Sequence, residues 1–204
     1  ILDTMFEPYC IICKSKISFG KIVCENCLKK TYAPSLTEGD FKVYHYGKYE
    51  EPLSQLITEF KYNSHPKIGK IFGEKLASLF LKLNFPALNY YVSYVPSNYI
   101  SKFEKGFVPA KLIAIYFSSI LGFPLIDLFI SKALKKQAQL SYKQRSKNVH
   151  NKIRLIQSPP ENIIVVDDVY TTGSTMNEIA NLLENKCEVI IGLTMAKTIH
   201  NHSL

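Results

Sequence analysis

Residues 163–175 read IIVVDDVYTTGST, and the order of residue types in this stretch decides the fold class. Four apolar β-formers, Ile163 to Val166, run into Asp167 and Asp168 and then into a Thr-Thr-Gly-Ser-Thr turn. An unbroken apolar run suits a strand buried on both faces, as in a parallel sheet covered by helices. Open α/β sheets bind ligands beyond the carboxyl ends of their strands, so the spacing predicts Asp167 and Asp168 at such an end. Ionised carboxylates only accept hydrogen bonds, and a pair of them suits vicinal hydroxyls such as those of ribose. Gly173 permits a positive φ, which lets the N–H groups of residues 171–175 converge on one anion. A helix starting at Ser174 adds the positive end of its dipole there, and Thr171, Thr172, Ser174 and Thr175 add hydroxyl donors. A βα turn that merely contains two acids and a threonine cap is the plainer account. The joint pattern outweighs it and points to a phosphorylated sugar.

Working outward, 204 residues hold one α/β domain and a small appendage. An apolar fraction of 47% and a mean hydropathy of −0.01 are those of an ordinary globule. Ile1–Cys10 carries Asp3, Glu7 and Pro8 and does not read as a signal peptide, which predicts a cytoplasmic protein. The long apolar stretch Leu112–Ile130 is interrupted by Ser118, Ser119, Gly122, Pro124 and Asp127. It predicts a buried helix followed by a strand and no membrane insertion.

The net charge is +8, from 25 basic and 17 acidic residues. Between Lys132 and Arg154 stand eight basic residues and no acid, so the rest of the chain balances at zero. A solvated face is the bland account of such a run. Here Gln137, Gln139, Tyr142, Gln144 and Asn148 are interleaved, polar groups able to meet phosphate and base. Lys135, Lys136, Lys143, Arg145 and Lys147 are therefore candidate polyanion contacts.

Near the other terminus, Cys10-x2-Cys13 and Cys24-x2-Cys27 have the spacing of a zinc ribbon. A disulfide framework conflicts with a reducing compartment, and a redox CxxC needs one pair, not two matched ones. Four thiolates leave no open coordination position, so the expected Zn2+ is structural. Cys187 lies in an apolar strand pattern and is expected to be a core residue.

Between these landmarks, Pro34–Asp40 reads as a turn-rich linker and Phe41–Tyr46 as a short strand. Leu53–Tyr62, Pro66–Leu83, Pro109–Leu121 and Ser174–Lys186 read as helices, and Tyr90–Val95, Leu125–Phe129, Ile163–Asp167 and Val189–Met195 as strands. Alternation of strands and helices predicts an α/β fold with a parallel sheet flanked by helices. The expected division is a ribbon over residues 1–36 and the α/β domain over 37–204.

The signature stretch matches the 5-phosphoribosyl-1-pyrophosphate (PRPP) motif of type I phosphoribosyltransferases. With a four-cysteine ribbon ahead of it, the chain resembles the ComF (ComFC/GntX-like) family of phosphoribosyltransferase-like competence proteins. Further matches are Phe60-Lys61-Tyr62, Val95-Pro96, Lys105-Gly106-Phe107, and Gln137, Leu140, Arg145, Asn148 and Val149. Two departures are Lys105, where the family usually has Arg, and Val108-Pro109, where it has Asn-Gln. A Lys offers phosphate a point charge and not a planar fork.

The resemblance implies PRPP with Mg2+ as ligand or substrate and a type I phosphoribosyltransferase-like fold. It implies that Val95–Tyr99, with Pro96 and Ser97, takes the pyrophosphate, and that Lys61 and Lys105 supply countercharge. It also implies a role in DNA uptake, with single-stranded DNA on the basic segment and a competence helicase or other uptake proteins as partners. The alternative is an active transferase that moves phosphoribose to another acceptor. Thr171 stands where 6-oxopurine enzymes carry an acid, and Thr cannot act as a general base at neutral pH, which argues against hypoxanthine-guanine salvage. A hood for an acceptor would have to come from Phe41–Tyr49 or the Tyr-rich early helix.

Overall fold

The computed structural model describes residues 8–62, 65–97, 106–131 and 153–199. In chain order its elements are α1 (Glu25–Lys30), β1 (Ser35–Thr37), β2 (Lys42–Lys48), α2 (Leu53–Tyr62), α3 (Lys67–Lys82) and β3 (Tyr91–Tyr94). There follow α4 (Pro109–Leu121), β4 (Phe129–Ser131), β5 (Ile153–Leu155), β6 (Asn162–Tyr170), α5 (Ser174–Leu183) and β7 (Val189–Lys197).

Five strands form one sheet in the order β1-β2-β7-β6-β3. β2, β7, β6 and β3 run parallel, and β1 is antiparallel to β2. The apolar run puts β6 between β7 and β3, where strand alternation feeds two cores. Ile164 and Val166 face α2, α3 and α4, packing with Phe60, Phe72, Leu76, Ile113 and Phe117. Ile163 and Val165 face α5, with Met176, Ile179 and Leu183. Burial on both sides is what an unalternating strand requires.

The expected α/β class is observed, with three differences. Part of the expected linker is a strand: Ser35–Thr37 pairs with β2 and covers an edge that would otherwise expose unpaired N–H and C=O groups. Leu125 makes only an isolated bridge to Val92, and the strand in that region begins later, at Phe129, where it pairs with β5. Finally, β6 does not stop at Asp167. It continues to Tyr170 because β7 runs on beside it, pairing Asp167 with Thr194 and Tyr170 with Lys197. The stretch after Leu112 is α4 followed by irregular chain and β4, and among the described residues no helix is long and apolar enough to cross a membrane.

The ribbon is not a free appendage. Cys10, Val23 and Cys27 belong to the same buried cluster as Leu53 and Ile57. α3 and α4 meet at Gly73, where an added Cβ would collide with Cβ of Tyr116 and stand 3.0 Å from the backbone nitrogen of Phe117. Backbone cannot yield there, so Gly73→Ala is expected to destabilise the chain by about 1–3 kcal/mol, the usual scale of overpacking. Urea unfolding measures it; an unchanged midpoint would contradict the close helix contact.

Candidate functional site

β3 ends at Tyr94, opposite Val166, and the chain turns away after Val95 donates its N–H to the Val166 carbonyl at 2.9 Å. β6 therefore runs past its neighbour on one side while β7 continues on the other. Asp167 and Asp168 stand in that half-paired stretch and, as successive strand residues, point to opposite faces. Asp168 turns to the helix-rich face and meets Lys61 from the last turn of α2, Nζ to Oδ1 at 2.7 Å, with side chains 18% and 14% exposed. Burial alone would lower the Lys61 pKa, but the Asp168 carboxylate beside it prevails and holds the ammonium above its usual value.

Asp167 has the opposite environment. The residue as a whole is half-buried, but its carboxyl is enclosed. Burial, followed by the neighbouring Asp168 charge, pushes its pKa well up; the Asp168 N–H, donated to Oδ1 at 2.8 Å, and Lys61 only partly oppose this. The two carboxylates thus stand in different surroundings: one enclosed with its pKa raised, one carrying a cation.

The Thr171–Thr175 turn follows directly. Gly173 is left-handed at φ +80, as expected, and a side chain there would also strike the Tyr170 phenol. Thr171, Thr172 and Ser174 are exposed, Thr175 is half-buried, and packed side chains do not close the turn. The Thr172 hydroxyl accepts the Ser174 N–H at 3.4 Å and donates to the Ser174 hydroxyl at 3.1 Å. Gly173 caps α5 without a side-chain hydrogen bond. First-turn N–H groups of a helix have no intrahelical acceptor, so this end of α5 presents donors to the turn.

Beneath the turn lies a polar chain that sequence reasoning missed. His45 of β2 is fully buried, with Nε2 2.8 Å from the Thr37 hydroxyl and Nδ1 2.7 Å from the Thr194 hydroxyl. Lys197 donates to Thr37 at 2.8 Å, and Thr194 donates to the Ala196 carbonyl at 3.3 Å. These ends orient the whole chain: Thr37 donates to Nε2, and Nδ1–H donates to Thr194, which assigns a neutral imidazole. Burial, with the Lys197 charge second, lowers the His45 pKa to about 4. The ring stands edge-on to Tyr170 at 5.0 Å between centroids. A histidine in an alternating strand carries no signal of this; the partners come from β1 and β7. β2 is also an interior strand of the sheet, so most of Phe41–Tyr49 is not available as a hood.

At the ribbon, the four expected sulfurs lie within 4.8 Å of one another, and Cys13 and Cys24 Sγ are 3.7 Å apart. A tetrahedral zinc with Zn–S of about 2.3 Å sets S···S near ~3.8 Å, so the cluster fits that ion. Backbone N–H groups of Cys24 and Cys27 point at the sulfurs of Cys10 and Cys24, at 3.4 and 3.3 Å, donors suited to thiolates. Cys187 lies apart, half-buried against the α5-side core.

Pro96 and Ser97 are half-buried just past β3. Lys105 and the basic residues Lys135, Lys136, Lys143, Arg145 and Lys147 lie outside the described residues.

No family model matches this chain. Competence protein F of Haemophilus influenzae is 32% identical over 188 residues, covering 86% of this chain and 78% of that protein. DNA utilization protein YhgH of Salmonella typhi is 27% identical over 190 residues, 85% of this chain and 83% of that protein. Competence protein ComFC of Bacillus subtilis is 27% identical over 139 residues, 68% and 56%. Among solved structures, the glutamine PRPP amidotransferase of B. subtilis gives a TM-score of 0.43 at 20% identity over 67% of this chain, which spans only 30% of that enzyme. A purine phosphoribosyltransferase from Pyrococcus horikoshii gives 0.38 at 15% identity, with 63% and 80% coverage. The extent and identity of the match to competence protein F, with the four-cysteine cluster preceding the α/β sheet, establish that this chain belongs to the ComF family of competence proteins.

Proposed function

We propose that the chain binds PRPP with Mg2+ at the carboxyl end of β6 and works in DNA uptake, holding single-stranded DNA through its basic segment. The observation that carries the ligand reading is Asp168, held at 2.7 Å by Lys61 and followed at once by an open turn with Gly173 at φ +80. Asp168 accepts hydrogen bonds from ribose hydroxyls, while the N–H groups and hydroxyls of Thr172–Thr175 donate to the 5′-phosphate. Lys61 sets the Asp168 rotamer and adds positive charge next to a polyanion. Pro96, Ser97 and Lys105 serve the pyrophosphate end. A lone accessible carboxylate suits Mg2+, which takes one or two carboxylates and completes its shell with phosphate oxygens and water; bound there, it would neutralise the pyrophosphate.

Asp167 is assigned a supporting role: enclosed, with its pKa raised by burial, it fixes the strand by accepting the Asp168 N–H. The competence and DNA-utilization names of the relatives support the uptake role, with a helicase or other uptake proteins as partners. A cytoplasmic location keeps the four thiols reduced and free to hold zinc, which stands in for the hydrophobic core that so short a ribbon lacks.

A second reading, transfer of phosphoribose to an acceptor, draws on a cavity of about 400 Å3 beside β3, walled by Phe107, Leu112 and Phe129. At its polar side, Asp127 accepts hydrogen bonds from Tyr94 at 2.6 Å and Lys111 at 3.0 Å. An apolar cleft with a few convergent polar groups is the ordinary form of a small-molecule site. Pyrophosphate release from PRPP and Mg2+ with pooled nucleobases and amines separates transfer from binding alone.

Calorimetry with PRPP and Mg2+ tests the main reading. Asp168→Asn is expected to weaken binding at least tenfold and Asp167→Asn less than about threefold, since charged hydrogen bonds carry about 1.5–3 kcal/mol and the enclosed acid makes none to ligand. Equal affinity of Asp168→Asn and the native chain would refute the ribose assignment. The pH dependence of stability tests the division of roles separately. Asp167 has a folded pKa above its unfolded value near ~3.9, so its stabilisation is whole below that value and is lost as pH rises through the folded one. Asp167→Asn, a permanent mimic of the neutral acid, should melt about 2–4 °C above the native chain at pH 7, with the gap closing by pH 4. A gap independent of pH would overturn the raised pKa of Asp167. Elemental analysis should find one zinc per chain, lost with soluble yield in Cys24→Ser; native protein without zinc would defeat the structural-metal proposal.

A further inference from the structure

The ribbon and α3 enclose a groove of about 670 Å3 that neither the phosphate turn nor the basic segment accounts for. Its floor is apolar, formed by Ile22, Leu28, Ile71 and Tyr116. Around that floor stand Lys21 from the ribbon and Lys67, Lys70 and Lys75 from α3, against two acids, Glu25 and Glu74. Glu25 already holds Lys21 at 2.9 Å, which leaves the α3 lysines as the dominant charge. Phe19, adjoining the groove residues Gly20 and Lys21, is 85% exposed, the highest value among the exposed large apolar side chains of the described residues. Lys14 and Lys16 on the same ribbon are exposed as well.

A positively charged channel with an apolar floor and a protruding aromatic ring is the surface that single strands require. Lysines follow the phosphates, and every base has a π-face that can stack on a ring. A duplex would not use Phe19, because its bases are already stacked on one another. An acidic peptide would use the lysines but draw little from an exposed aromatic ring.

We infer that this groove is a single-stranded nucleic-acid site, with Lys67, Lys70 and Lys75 on the phosphates and Phe19 stacked on a base. It deepens the proposed DNA-uptake function and rests on it, and it gives the strand contacts on the ribbon and α3 in addition to those proposed for the basic segment. Lys67 and Lys70 are exposed and Phe19 nearly fully so, so substitutions there leave the cores intact.

The test is fluorescence anisotropy of the full-length chain with fluorescein-labelled oligothymidylate across a salt series. Phe19→Ala should weaken binding about fivefold or more with the salt slope unchanged, because stacking is not counterion release, and Phe19→Tyr should restore it. Lys67→Gln with Lys70→Gln should flatten the slope by about 1.4, near ~0.7 for each phosphate contact on a single strand. Native-like binding by both sets of variants, with binding lost on neutralising Lys135, Lys136, Lys143 and Arg145, would overturn the groove and leave the basic segment as the DNA site. No saturable binding by the native chain would sink the DNA reading altogether. Displacement of the oligonucleotide by oligoglutamate at equal charge concentration would overturn the nucleic-acid assignment in favour of an acidic peptide.

Discussion

The site depends on a mismatch of strand lengths. β6 is held on both sides as far as Val166, and beyond it only by β7, because β3 stops at Tyr94. Had β6 ended at the same point, Asp167 and Asp168 would belong to a loop and both carboxylates could turn toward one ligand. Continued pairing imposes strand geometry on them instead, and strand geometry alternates. One acid is driven into the layer beneath α5 and the other toward Lys61. The side left open by β3 is what leaves Asp168 partly exposed, and the side closed by β7 is what keeps it in place. Rigidity and access are supplied by different neighbours of the same strand.

The same mismatch explains what the sequence could and could not reveal. The extents of α2 and α4 were legible to the residue, and α3 and β7 nearly so, because amphipathic periodicity and long apolar runs are local signals. Gly173 was legible because a left-handed turn before a helix leaves few alternatives. The length of β6 was not, since Asp168–Tyr170 is strand only by virtue of β7 alongside. Nor was β1, whose three residues Ser35–Thr37 have the composition of a turn and become strand by pairing with His45–Val43. Lys61 was named by resemblance, but its contact with Asp168 spans 107 residues and no pattern within the chain announces it.

The buried chain from Lys197 through Thr37, His45 and Thr194 to the Ala196 carbonyl follows the same logic at the other edge of the sheet. It crosses β1, β2 and β7, and each member is satisfied only because the next is in register: Thr37 beside Val43 in the antiparallel pair, His45 beside Thr194 in the parallel one. A fully satisfied buried network specifies one arrangement, while a partly satisfied one is worse than an apolar core. Tyr170 packs its ring on this histidine and its phenol on Gly173. The Thr171–Thr175 turn is thereby braced by Tyr170, and its left-handed glycine is required twice, by φ and by the tyrosine that occupies the place of a Cβ.

Charge illustrates most clearly how folding changes what composition implies. Outside Lys132–Arg154 the formal charges cancel, and by summation that part of the chain looks neutral. Summation weights all charges alike, whereas in salt a charge acts over roughly 8–10 Å. The ribbon brings Lys21, already paired with Glu25, against an α3 that carries Lys67, Lys70 and Lys75 with Glu74 among them. A locally basic face thus arises on α3 within a globally neutral segment, and the ribbon held against α3 walls one side of it. Cys10, Val23 and Cys27 hold it there by sharing the body's core. On this view the four-cysteine cluster does more than stabilise a small module. By fixing the ribbon's shape it fixes the apolar wall, Ile22 and Leu28, against which the α3 lysines stand.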